Sequence, residues 1–336
     1  MSSPCYVTKR SSDEVKEQGV KTRRALLLQS AALAVAVLSR VGLAEPPHKL
    51  LFVHGRSQQG KDPGKLKATW IEAFKKGADA ANLPIPDDLD IAFPYYGDAL
   101  DEFTHQSNLP LTTDIQARGE SAVNEDFLEF QAEIAEELRE ARGITEDQVN
   151  EEYGENPKPK GPLNWEWVQA ILRTLDKHGG GINQAALEQF TRDVYLYTRR
   201  SVVREAIDKI VAEKISEEPT VVLGHSLGTV VTYSVLRYDP RSLNVPLFVT
   251  VGSPLGVRAI RRQFRPLESP RAGQWFNAYD DRDVVALYPL DNSNFPIDPP
   301  VENYAGVRNH TSNRHGIVGY LDDVTVASKL LHQLEA

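Results

Sequence analysis

The feature that most constrains this chain is the segment 220–238, TVVLGHSLGTVVTYSVLRY, in which two glycines flank a serine between two apolar runs. The β-branched residues before Gly224 predict a buried strand, and the residues from Gly228 onward predict a helix. A sharp turn must join the two elements, and bulky side chains two positions before or after Ser226 would clash in it. The segment therefore predicts a strand, a tight turn with Ser226 at its tip, and a helix.

The same alternation of elements extends along much of the chain. Apolar runs at 49–55, 89–97, 246–254 and 273–280 predict four further strands. A helix is predicted between the first two strands, and another at 320–334 with Asp322 or Asp323 as its N-cap. Alternating strands and helices of this kind predict an α/β fold with a mostly parallel sheet.

The alternation is interrupted between residues 98 and 190, where no strand is predicted. Helices are predicted at 127–141, at 168–175 and, as one long helix, at 187–210, with a loop at 153–162. The segment 98–156 carries 17 acidic and 3 basic residues, which is typical of solvated helix faces. We interpret residues 98–190 as a helical cap inserted into a single domain formed by residues 45–336.

Charge and cysteine content exclude several classes of function. A formal net charge of −9 argues against binding to a nucleic-acid backbone. Cys5 is the only cysteine, so no intrachain disulfide or CxxC pair exists. Neither HExxH nor GxxxxGK[ST] occurs, and we expect no metal and no cofactor. A basic patch of arginines at 258–265 is either a solvated face or a contact for an anionic substrate.

The N-terminal segment is typical of an export signal. Six basic residues at 9–24 precede the apolar run 25–38, which is too short to span a bilayer, and the sequence GLA precedes Glu45. TRRALLL is similar to a twin-arginine signal. These features predict that residues 1–44 direct export to the periplasm or the medium and are removed after Ala44. The alternative is an uncleaved or amphipathic N-terminal helix, in which case the protein is cytoplasmic.

From Lys49 to Ala336, excluding the cap, the chain resembles the α/β-hydrolase family, because GHSLG is similar to the nucleophile elbow of that family. The resemblance implies a three-layer fold and the chain order nucleophile, acid, histidine. Ser226 would then be the nucleophile. Asp283 in DRDVV matches the position of the acid and Asp280 is the alternative. His315 in RHG matches the histidine and His310 is the alternative.

The resemblance also implies an oxyanion hole. Its two donors would be the backbone N–H groups of Leu227, which follows the nucleophile, and of Arg56, which lies in the loop after the first strand. Gly55 would permit the close turn of that loop, and His54 would form a structural hydrogen bond there.

These features together predict a serine hydrolase, and most directly a carboxylic-ester hydrolase that forms an acyl-enzyme on Ser226. Lipase, phospholipase and thioesterase activities on the same fold are alternatives, and the apolar faces of the cap helices would favour lipid. An inactive binding protein is the alternative from another class. The expected partner is a small-molecule or lipid ester. Membrane contact is expected only through an uncleaved N-terminal segment, and the oligomeric state is left open.

Overall fold

The computed structural model describes Met1 and residues 49–118, 123–155, 158–178 and 183–335. The chain divides into two compact units, Met1–Glu45 and Pro46–Ala336. The predicted export segment and its cleavage site lie outside the described residues. Among the helices that the structure describes, none is both long enough and apolar enough to cross a bilayer.

The described chain contains a six-stranded sheet in which every neighbouring pair of strands is parallel. Its strands are β1 (Lys49–Val53), β2 (Asp90–Ala92), β3 (Thr220–His225), β4 (Leu247–Val251), β5 (Gln274–Ala278) and β6 (Glu302–Tyr304). They lie in the order β2-β1-β3-β4-β5-β6. The predicted α/β class with a parallel sheet is confirmed. The carboxyl ends of parallel strands meet at one edge, so the loops after β1, β3 and β5 lie together there.

Helices cover both faces of the sheet. The helices are α1 (Pro63–Ala81), α2 (Gly97–Gln106), α3 (Thr112–Arg118), α4 (Glu125–Ala141), α5 (Glu146–Tyr153), α6 (Trp165–His178), α7 (Gln184–Arg199), α8 (Ser201–Ala212), α9 (Leu227–Tyr238), α10 (Arg258–Arg261), α11 (Val318–Leu321) and α12 (Val324–Leu334). Side chains alternate between the faces of a strand, so Leu50 and Phe52 pack with α1 and α12. Leu51 and Val53 face the opposite core, which includes α9 and the helices of the insertion.

The helical insertion shares its core with the sheet. Phe127, Phe130 and Ile134 of α4 are almost completely buried, as are Val168 and Ile171 of α6, and all belong to the cluster that contains Leu51. The apolar faces of these cap helices therefore pack inside the protein. They are not exposed surfaces that a lipid would contact.

Two sequence predictions differ from the structure, and one strand was not predicted. The predicted long helix 187–210 is two helices, because Arg200 adopts an extended conformation with φ −109° and ψ 105° between α7 and α8. The predicted strand 89–97 ends at Ala92, and Gly97 already begins α2. Strand β6 was not predicted, since ENY is short, mostly exposed and lacks an apolar run.

The two N-cap alternatives for the last helix are resolved by side-chain contacts. The Asp323 carboxylate accepts hydrogen bonds from the backbone N–H groups of Thr325 (2.9 Å) and Val326 (3.1 Å), so Asp323 is the N-cap of α12. Asp322 instead contacts His310 at the surface.

Candidate active site

The turn between β3 and α9 holds Ser226 in a conformation that non-glycine residues rarely adopt, with φ 55° and ψ −128°. Both flanking glycines are required by close packing. A Cβ atom at Gly224 would lie 2.8 Å from the carbonyl oxygen of Gly228, and one at Gly228 would overlap the carbonyl oxygen of Val53. Such local strain is found at functional sites, where the surrounding structure maintains it.

Ser226, His315 and Asp283 form one continuous line of hydrogen bonds. His315 Nε2 lies 2.8 Å from Ser226 Oγ, and His315 Nδ1 lies 2.7 Å from Asp283 Oδ2. The Asp283 carboxylate accepts a hydrogen bond from Nδ1–H, which leaves the Nε2 lone pair free to accept a hydrogen bond from the serine hydroxyl. The three residues come from the loops after β3, β5 and β6, so the parallel sheet brings them to the same edge.

Asp283 is completely buried, and each of its two carboxylate oxygens accepts a further hydrogen bond. Its Oδ1 accepts the backbone N–H of Val285 at 2.8 Å, and its Oδ2 accepts the Tyr320 hydroxyl at 2.6 Å. Burial raises the pKa of Tyr320 well above its ordinary value, so the phenol stays protonated and continues to donate. Sequence reasoning did not identify Tyr320, because nothing in the segment YLDD distinguishes a hydrogen-bonding tyrosine from a core tyrosine.

The two alternative residues have other partners. The Asp280 carboxylate accepts hydrogen bonds from the Arg282 guanidinium at 2.6 Å and 2.9 Å, and from the backbone N–H of Asn309 at 2.8 Å. Burial alone would raise the pKa of Asp280, but these hydrogen bonds outweigh it and lower the pKa to about 2. His310 is exposed and its Nε2 lies 2.7 Å from the Asp322 carboxylate. Within the described chain, neither alternative contacts Ser226.

Two further histidines are neutral parts of the framework. His225 Nε2 donates to the carbonyl oxygen of His315 at 2.7 Å, and its ring lies 4.8 Å from the His315 ring. Burial, followed by the nearby His315, lowers the pKa of His225 to about 3. His54 Nδ1 donates to the Gly55 carbonyl oxygen at 2.6 Å, and burial lowers its pKa to about 4. His225 thus fixes the backbone that carries His315.

The loop after β1 passes directly against Ser226. A Cβ atom at Gly55 would lie 2.8 Å from the Ser226 Cβ, so only glycine fits there. In the part of the chain that the structure describes, the backbone N–H groups of Arg56 and Leu227 donate to no protein acceptor. Leu227 also begins the 12-residue helix α9, whose N-terminus favours negative charge.

The Arg56 side chain connects this loop to the cap. Its guanidinium donates to the Asp193 carboxylate at 2.9 Å and to the Gln189 side-chain oxygen at 2.8 Å, both in α7. Burial raises the pKa of Asp193, and the Arg56 charge opposes that shift. The pair therefore holds α7 beside the residues that follow β1.

The arginine patch at 258–265 has a structural role. The Arg262 guanidinium pairs with the Glu133 carboxylate at 2.5 Å, and the Arg258 side chain lies 3.6 Å from the Glu140 carboxylate. The backbone N–H of Arg258 also donates to the buried Glu137 carboxylate. These arginines therefore bind the acidic face of α4.

A cavity of about 440 Å³ opens beside Ser226 and His315. One part of its wall is apolar and includes Leu66, Trp70, Phe190, Val285 and Ile317. Another part is polar and includes Gln58, Lys61, Asn183 and Asn313. Asn183 is the N-cap of α7 and Phe190 lies within that helix, so the helical insertion contributes to the wall of the cavity.

Within the described residues, no three His, Cys, Asp or Glu side chains are grouped in a way that would hold a metal ion. No protein-family model, no curated protein and no solved structure matches the chain. The chemistry of the site is therefore inferred from its own geometry.

Proposed function

We propose that this protein is a serine hydrolase of the α/β-hydrolase type, which cleaves carboxylic esters through an acyl-enzyme on Ser226. The observation that carries the proposal is the hydrogen-bonded line from Ser226 Oγ through His315 to the buried Asp283. Activation of a serine needs a base within hydrogen-bond reach and a third group that orients the base. The residues present satisfy both conditions.

In the proposed reaction, Ser226 Oγ attacks the ester carbonyl carbon while His315 Nε2 takes the hydroxyl proton. The N–H groups of Leu227 and Arg56 stabilise the negative oxygen of the tetrahedral intermediate. The protonated His315 then gives its proton to the leaving alcohol, and an acyl-enzyme forms. A water molecule, deprotonated by His315, then attacks the acyl carbon; the bond from that carbon to Ser226 Oγ breaks, the acid leaves, and His315 returns the proton to Ser226 Oγ. Throughout, Asp283 stabilises the imidazolium and holds its orientation.

The fold supports this family assignment at a general level. Nucleophile, acid and histidine follow one another in the order typical of α/β-hydrolases, and the serine follows a central strand of a parallel sheet. Because the fold hosts many chemistries, the ester preference rests on the site. Burial of the apolar faces of α4 and α6 removes the one feature that favoured a lipid substrate.

A fluorophosphonate probe tests the proposal directly, because it phosphonylates an activated serine and spares an ordinary one. We expect stoichiometric labelling of the purified protein and none of Ser226→Ala. Ser253→Ala is the matched control, since Ser253 is a buried serine at the same edge whose hydroxyl contacts Thr229. Failure of the wild-type protein to label would refute the enzyme hypothesis and favour a binding protein.

Substrate range is measured with p-nitrophenyl esters from acetate to palmitate. A cavity of about 440 Å³ predicts that kcat/KM is highest for short and medium acyl chains and declines for palmitate. Highest activity on palmitate, particularly above its micellar concentration, would instead indicate a lipase.

A further inference from the structure

The cavity beside Ser226 differs in charge from the protein around it. The chain has 47 acidic and 38 basic residues, yet the described residues lining this cavity include no aspartate or glutamate. Four other surface cavities each include at least one, for example Asp208, Asp193, Glu133 and Asp114 respectively. A wall without carboxylates in an acidic protein favours an anionic or neutral ligand over a cationic one.

Lysine and arginine contribute differently to this wall. The charge of Arg56 is compensated by the buried Asp193 carboxylate at 2.9 Å. Lys61 Nζ contacts only the neutral side-chain oxygen of Gln58, at 3.1 Å, and in the described chain it has no carboxylate within ion-pair distance. Lys61 is exposed and therefore offers the cavity a positive charge that no ion pair in the described chain engages.

The loop that carries Lys61 is held in place. The Asp98 carboxylate accepts the backbone N–H of Gly60 at 2.7 Å and lies 2.8 Å from the Tyr95 hydroxyl. The backbone N–H of Lys61 donates to the Gln58 carbonyl oxygen at 3.2 Å. An anchored loop places the lysine at lower entropic cost than a free one.

From these observations we propose that the preferred substrate is an amphiphilic anion: an ester with an apolar part, which packs on Trp70 and Phe190, and a carboxylate or phosphate group, which binds Lys61. This inference rests on the proposed hydrolase function. In this proposal Lys61 determines specificity, because it lets the cavity prefer anionic esters over neutral ones.

The test compares pairs of esters of similar size, one anionic and one neutral, in the wild type and in variants of Lys61, so that differences in intrinsic reactivity cancel between the proteins. Mono-4-nitrophenyl adipate carries a carboxylate where 4-nitrophenyl hexanoate carries its terminal methyl group, and thus places the charge on the acyl side. The second pair places the charge on the leaving-group side: the butyrate ester of 4-hydroxybenzoate is anionic, and the butyrate ester of 4-methylphenol is its neutral partner. We expect the kcat/KM ratio of anionic to neutral ester to exceed one, by about three- to fivefold, for one of the two pairs.

Variants assign the preference to Lys61. Lys61→Gln should bring the ratio close to one, and Lys61→Arg should retain it. Lys65→Gln is the matched control, because it makes the same change in net charge on the exposed surface of α1 but does not line the cavity. The wild-type ratio should also fall as salt is raised from low to high concentration, and the Lys61→Gln ratio should not.

The experiments distinguish failure of the proposed hydrolase function from failure of the anionic-substrate proposal. If Ser226→Ala hydrolyses the neutral esters as fast as the wild type, the proposed function is wrong. If hydrolysis depends on Ser226 but the ratio is one or less for both pairs, or is unchanged in Lys61→Gln, only the anionic-substrate proposal is overturned.

Discussion

Asp280 and Asp283 lie three residues apart in one loop, are both fully buried, and have different surroundings. Asp280 is surrounded by donors from its own loop and from Asn309, and its charge is compensated by Arg282. The Asp283 carboxylate accepts hydrogen bonds from the His315 ring and from the Tyr320 hydroxyl. Because the hydrogen-bond partner determines what a carboxylate does, the same residue type stabilises a loop at one position and orients an imidazole at the other.

This difference predicts different effects on activity for the same substitution. Asp283→Asn should lower kcat roughly a thousand- to ten-thousandfold, because an amide favours the wrong histidine tautomer. Asp280→Asn should leave the rate within severalfold and lower the free energy of unfolding by about 1–3 kcal/mol, through weaker hydrogen bonds to Arg282. Steady-state kinetics and urea denaturation of both variants check this. Loss of rate in Asp280→Asn alone would assign the acid to Asp280.

The close packing of α9 against the end of β1 depends on one glycine. Gly228, in the first turn of α9, lies against the carbonyl oxygens of Val53 and His54, where a Cβ atom has no room. Gly228→Ala should therefore lower the free energy of unfolding by about 3 kcal/mol, since helix and strand must separate. Gly161→Ala is the control, because a Cβ atom there has no neighbour within 4 Å, and it should change stability by less than about 0.5 kcal/mol. Equal effects of the two substitutions in urea denaturation would contradict the packing argument.

Three helices meet at the half-buried carboxylate of Asp208. Asp208 of α8 accepts hydrogen bonds from the Tyr197 hydroxyl of α7 and, at 2.9 Å, from the Ser234 hydroxyl of α9. Burial raises the pKa of Asp208 to about 6, and the two hydroxyl groups only partly oppose it. The folded protein thus binds this proton more tightly than the unfolded chain. The contribution of Asp208 to the free energy of unfolding therefore falls as pH rises from about 4 to about 6.

Substitution of Asp208 reveals this pH dependence. Relative to the wild type, Asp208→Asn should gain about 2 kcal/mol in free energy of unfolding between pH 4.5 and pH 7.5, because an amide does not titrate. Urea denaturation of both proteins at the two pH values measures the difference, in which the titration of all other groups cancels. A difference that is constant with pH, or that changes in the opposite direction, would show that Asp208 is already ionised at low pH in the folded protein.

Features with a local sequence signal could be predicted from the sequence, whereas features that depend on contacts between distant residues could not. The buried strands and the elbow were predictable, since an apolar run and two glycines carry their own local signal. The break at Arg200 and the edge strand β6 were not, because tertiary contacts determine them. Likewise, the order of Ser226 and His315 along the chain is a sequence property. The contacts of Tyr320 and His225 arise only when distant loops meet.

The N-terminal sequence predicts where the protein acts. The apolar run 25–38 would extend about 21 Å as a helix, less than the roughly 30 Å of a bilayer core, so it suits a signal better than an anchor. We expect the exported protein to begin at Glu45, as N-terminal sequencing of the periplasmic or secreted fraction would show. Substituting both Arg23 and Arg24 with lysine preserves the charge and should retain the full-length chain in the cytoplasm if the twin-arginine route is used. Arg10→Lys serves as the control and should be exported normally. An exported wild-type chain that still begins at Met1 would refute cleavage after Ala44.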